Sequence, residues 1–88
     1  MPNADIVGRL LDELAAFEAD QRTIPDLQHA ILDHGRAMEA MPRDWYSQLN
    51  RWEGALELAF FTESAAGQAE MARQVIGELR AALAGKSP

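Results

Sequence analysis

In WYSQLNRWEGALELAFF, residues 45–61, large apolar side chains return every three or four positions. Trp45, Leu49, Trp52, Leu56 and Phe60 therefore fall on one stripe of a helix that turns about 100° per residue. Both tryptophans of the chain lie on that stripe. Two indoles on one face demand burial, so this helix is expected at the centre of a small bundle.

The same period recurs on both sides. A first helix is expected over residues 4–20, with Ile6, Val7, Leu10, Leu11, Leu14 and Phe17 on one face. Asp12, Ala16, Ala19 and Asp20 lie mostly opposite, and Asn3 or Asp5 can cap the first turn. A second helix is expected over 24–41. Thr23 reads as its N-cap, Pro25 sits where its missing amide costs nothing, and Asp26 complements the helix dipole. Its apolar face is Leu27, Ala30, Ile31, His34, Met38 and Met41, and Pro42 ends it. The third helix should span 44–62, with Gly54 opposite the tryptophans. Glycine there costs roughly 1 kcal/mol relative to alanine, so either a neighbour packs closely on it or the cost is tolerated. The fourth should span 66–84, with Met71, Ala72, Val75, Ile76, Leu79 and Leu83 inward. Gly85 is a plausible C-cap, and Lys86-Ser87-Pro88 should fray. Links this short predict an all-α fold, a compact antiparallel four-helix bundle, as one domain over 1–88.

Eighty-eight residues bury only about 60–65% of their unfolded surface, enough for one core but not for a deep pocket beneath it. No cysteine is present, so packing alone, or packing plus a partner, must hold the fold. The net charge is −6. That balance argues against nucleic-acid binding, which needs clustered cations, and favours a basic partner. No apolar run approaches about 18 residues, so no membrane span is expected, and the N-terminus lacks a basic flank. A cytoplasmic protein is expected.

Catalytic motifs are missing. No nucleophile elbow, phosphate-binding glycine loop or helical zinc pair occurs, and Ser47, Ser64 and Ser87 have no nucleophile context. His29 and His34 are five apart and should point to different faces. Asp26, His29 and Asp33 share a face at three- and four-residue spacing, which reads as a solvated surface with local ion pairs, the alternative being a weak divalent-ion site of a metal-dependent enzyme. No metal, cofactor or catalytic residue is assigned. The signal that remains is a second stripe on the third helix. Tyr46, Asn50, Glu53, Glu57 and Phe61 mix rings, an amide and carboxylates, which suits a protein interface. The alternative is that Tyr46 and Phe61 pack against the first or fourth helix. Leu32 and Leu58 also fall outside the core stripes and point to a contact surface.

Trp52-Glu53-Gly54 spells W-x-G and so resembles small type VII secretion substrates, in which that tripeptide forms a turn. Here it lies inside an unbroken apolar period and reads as helix. A broader resemblance rests on Asp44-Trp45 through Trp52, Leu56-Glu57 and Ala59, preceded by Thr23-Ile24-Pro25-Asp26-Leu27. With W-x3-Leu-Glu at 52–57, the chain resembles small acidic bacterial immunity proteins of polymorphic or contact-dependent toxin systems, the colicin D immunity type. The resemblance implies a non-enzymatic inhibitor that neutralises a cognate toxin, many such toxins being nucleases with basic clefts. The expected contacts are Tyr46, Asn50, Glu53, Glu57 and Phe61, helped by Asp12, Asp20 and Glu39. The expected form is a monomer or weak homodimer. The alternatives are a self-associating helical module paired through Leu58 and Phe61, and another phage- or defence-related inhibitor.

Overall fold

Four helices make up the computed structural model, which describes residues 3–84: α1 (Asn3–Glu18), α2 (Ile24–Ala37), α3 (Trp45–Thr62) and α4 (Ala65–Ala84). No strand occurs among the described residues. The all-α, four-helix architecture read from periodicity is therefore the one observed. The expected Gly85 cap and C-terminal fraying lie outside the described residues. Each helix packs on the next, and a narrower contact between α1 and α4 closes the arrangement. The radius of gyration is 12.5 Å, close to the roughly 12 Å expected of a compact chain this long.

The core is apolar throughout. Leu10 and Leu14 from α1, Leu27 and Ile31 from α2, Leu49 and Leu56 from α3, and Leu79 and Leu83 from α4 are fully buried. Among the described residues no charged side chain is buried, and no buried side-chain nitrogen or oxygen lacks a partner. The two indole N–H groups account for much of that. Trp45 Nε1 donates to Gly35 O at 2.9 Å, and Trp52 Nε1 donates to Glu78 Oε1 at 3.1 Å. The indoles meet edge to face, 5.9 Å between centroids.

Local chemistry sets the helix ends. At the end of α1, Gln21 N–H donates to Ala16 O and Asp20 N–H to Phe17 O, the paired bonds of a Schellman cap. Asp20 fills the left-handed position of that cap, with φ 61. At the start of α2, Thr23 and Asp26 exchange bonds. Asp26 N–H donates to Thr23 Oγ1 at 3.3 Å, and Thr23 N–H donates to Asp26 Oδ2 at 3.0 Å. The Thr23 amide, then its hydroxyl, hold the Asp26 carboxyl below its ordinary value.

The end of α2 departs from expectation. The helix stops at Ala37, well before Pro42. In a continued helix, Gly35 O would accept from Glu39 N–H. Here the Trp45 indole takes Gly35 O, while Glu39 N–H donates to Asn3 Oδ1 at 2.8 Å. Tertiary partners thus consume the groups that the next turn would need, and Met38 leaves the helix extended with its side chain buried. Asn3, a candidate cap, instead clips α1 to the α2–α3 link, since its Nδ2 also donates to Glu39 O at 2.6 Å.

The inner stripe of α3 is Trp45, Leu49, Trp52, Leu56 and Ala59, not Phe60, which is 39% exposed. Spacings of four, three, four and three average 3.5 and keep the stripe facing its neighbours, whereas a second step of four carries Phe60 off it. Ala59 is also small enough to let α4 approach. It shares a hollow with Met71 of α4. Leu32, expected outside the core, packs against it. Gly54 faces open space, with nothing within 4 Å of a built Cβ, so its cost is tolerated and not offset by close packing. At the start of α4, Gly67 N–H donates to Ser64 Oγ at 3.3 Å, so Ser64 caps the helix.

Candidate functional site

All the large apolar side chains that stand well exposed among the described residues belong to α3: Tyr46 (49%), Leu58 (65%), Phe60 (39%) and Phe61 (75%). Helix geometry explains why. With Trp52 as the zero of rotation, Tyr46, Asn50, Glu53 and Glu57 fall about 100–160° round, and Phe61 falls about 180° away. Neighbouring helices cover the indole side and leave this side open. Phe60 and Phe61 stack edge to face on each other at 5.3 Å.

Tyr46, Asn50, Glu53, Glu57 and Phe61 therefore share one outer face, as the sequence pattern placed them. Tyr46 and Phe61 do not pack away against other helices. Glu53 is half-buried because Gln28 of α2 donates to its Oε2 at 3.2 Å. Asn50 and Glu57 are exposed. The other expected contacts are not gathered here. Asp12 is exposed on α1, Asp20 shares a hollow with Phe17, Ala69 and Arg73, and Glu39 lies in the link clipped by Asn3.

Two features escaped the sequence reading. Phe60 joins the exposed set. In addition, residues 52–72 carry Glu53, Glu57, Glu63 and Glu70 and no Lys, Arg or His. Leu58, Phe60 and Phe61 thus sit in a segment of one sign, a block that charge spacing alone could have marked, whereas Tyr46 lies outside it between Arg43 and Arg51. Beneath Leu58 a slot of about 300 Å³ opens between α3 and α4, lined by Ala55, Leu58, Ala59, Thr62, Glu63 and Met71.

A hollow of about 460 Å³ by α2 is lined by Glu13, Arg22, Asp26, His29, Asp33 and His34. Its polar groups are spent on one another. Arg22 Nε meets Glu13 at 3.0 Å, His29 Nε2 meets Asp33 at 3.1 Å, and His34 Nδ1 lies 2.9 Å from Ala30 O. Asp26 serves the α2 cap. Among the described residues no three His, Cys, Asp or Glu side chains converge on a point where a metal could sit. The remaining shifted groups, Glu18 and Arg80, form a surface pair with bonds of 2.6 and 2.9 Å. That pair lowers the carboxyl and raises the guanidinium. No helix among the described residues is long and apolar enough to cross a membrane. No family model, curated protein or solved structure matches this chain.

Proposed function

We propose that this protein is a non-enzymatic inhibitor, an immunity protein that binds and neutralises a cognate bacterial toxin through the outer face of α3. One observation carries the reading: four large apolar side chains stand in water on a single helix, with Glu53 and Glu57 among them. Rings supply contact area at little entropic cost, and carboxylates select a basic partner and speed its capture. A toxin with a basic nucleic-acid cleft meets both requirements, and blocking it needs no chemistry from the inhibitor. The resemblance of Trp52–Glu57 and its surroundings to acidic immunity proteins points the same way, and a bacterial cytoplasm is the compartment such a protein would occupy.

The test is Glu53→Lys with Glu57→Lys, assayed for neutralisation of a toxin encoded beside this gene. Capture should fall at least about tenfold, with a weaker salt dependence. Because Glu53 accepts a bond from Gln28, Glu57→Lys alone is the cleaner variant. Unchanged neutralisation by a folded double variant removes this surface from the reading.

A second reading is self-association through Leu58 and Phe61, the two most exposed apolar side chains and neighbours at three-residue spacing. The net charge of −6 opposes pairing of like chains. Sedimentation of the free protein separates the two, since a stable dimer without a partner favours self-association.

A further inference from the structure

We infer that the slot beneath Leu58 receives a single arginine or lysine side chain carried on an amphipathic segment of the partner protein. This rests on the reading that the outer face of α3 binds a protein, and it names the chemistry of the contact. The slot's walls are largely hydrocarbon, from Ala55, Leu58, Ala59 and Met71. Thr62 adds little polarity, because its hydroxyl donates to Leu58 O at 2.7 Å within its own helix.

Glu63 is the charged residue at the slot. Its carboxylate has no hydrogen bond or ion pair among the described residues, although its backbone N–H caps α3 by donating to Ala59 O. A Cβ on Gly67 would meet Glu63 Cβ at 3.0 Å and Oε1 at 3.3 Å, so the carboxylate lies over the first turn of α4.

An apolar slot ending on an unpaired carboxylate matches a side chain with an aliphatic stem and a cationic head. A leucine would fill the walls and leave Glu63 facing a partner without a counter-charge, and an acidic side chain would be repelled. No cation among the described residues lines the slot, although Arg51 lines the adjoining hollow that shares Ala55 and Met71. The cations that flank it in sequence are Arg51 and Arg73, and Arg73 is paired with Glu70. The exposed Phe61 ring beside Leu58 offers a second surface for a cation.

The experiment titrates the isotope-labelled full chain with a synthetic helical peptide that has leucines three and four positions apart and arginines flanking them. The same peptide with citrulline in place of arginine is the control. Amide shifts should concentrate at residues 55–63 and 67–71, and the citrulline peptide should bind about three- to fivefold more weakly. Glu63→Gln should abolish that difference with an unchanged thermal melt. Gly67→Ala, which crowds the Glu63 side chain, should reduce it. Equal binding of the two peptides, or shifts mapping elsewhere, overturns the proposal. Concentration-dependent shifts at these residues without peptide also overturn it and assign the slot to a second copy. If Glu63→Gln still neutralises toxin while the peptides bind equally, the slot fails and the toxin reading stands.

Discussion

The two sides of α3 are built from the same 18 residues and do opposite things. On the inner side Trp45, Leu49, Trp52, Leu56 and Ala59 are each at most 3% exposed. Both indoles there are fixed by directional bonds, one to the end of α2 and one to α4. On the outer side Tyr46, Leu58, Phe60 and Phe61 leave much of their apolar surface in water, and that part contributes little to folding. Inner hydrophobicity is accounted for by stability, and outer hydrophobicity is not. Scattered exposed apolar residues need no explanation, but four on one helix, three of them within an all-acidic segment, do.

The sharpest way to break this contrast is to truncate one residue on each side. Leu56→Ala should cost about 2–5 kcal/mol, because the fully buried site cannot collapse completely around the lost atoms. Trp45→Phe should cost about 1–3 kcal/mol, because it removes the indole bond to Gly35 O, leaving that carbonyl only the longer bond from Met38 N–H, and shrinks a buried ring. Phe61→Ala should stay within about 0.5 kcal/mol. Urea titrations of the three variants check this. A Phe61 variant as unstable as Leu56→Ala would mean that the outer side is packed in solution.

Glycines sharpen the same comparison with a smaller effect. Gly35 lies against the inner side, where a Cβ would come 2.5 Å from Leu49 Cδ2. Gly35→Ala must displace the tip of that leucine and should cost about 1–3 kcal/mol. Gly54, on the outer side, has open space round it, so Gly54→Ala should stabilise by up to about 1 kcal/mol. Thermal melts of the two variants should move in opposite directions. A destabilised Gly54→Ala would reveal a close neighbour on that side.

Most of the architecture was legible because periodicity and turn chemistry agree. The 3.6-residue stripes marked four helices, and Thr23, Pro25 and Asp26 marked the start of α2 within a residue. The misreadings share a cause: each was settled by a tertiary partner. Pro42 predicted the end of α2 from local sterics, yet the helix stops at Ala37 because an indole ten residues on takes Gly35 O and Asn3 takes Glu39 N–H. Phe60 fitted the stripe by hydrophobicity, but proximity to α4 favours Ala59. Asp26, His29 and Asp33 were rightly seen as neighbours, while the hollow that adds His34, Glu13 and Arg22 depends on how α1, α2 and their link pack. For the candidate site, the outer stripe of α3 could be read from spacing. The slot above Met71 could not, because it is formed by two helices together.

The smallest expected effect is electrostatic and separates carboxylates that fold the chain from those that do not. Asp26 accepts the Thr23 bonds and Glu18 accepts the two Arg80 bonds, so both ionise more readily in the folded chain than in the unfolded one. A carboxyl with a depressed folded value stabilises fully above its ordinary value and loses that contribution as pH falls through the lowered one. Stability should therefore hold above about pH 4.5 and decline below it, modestly, since both groups are exposed and screened. Asp26→Asn or Arg80→Gln should flatten that acid limb in melts followed by circular dichroism. Glu57→Gln, which removes no hydrogen bond, should leave the limb as it is and change only partner capture. If Glu57→Gln flattens the limb as much as Asp26→Asn does, Glu57 has a folding partner and does not belong to a free recognition face.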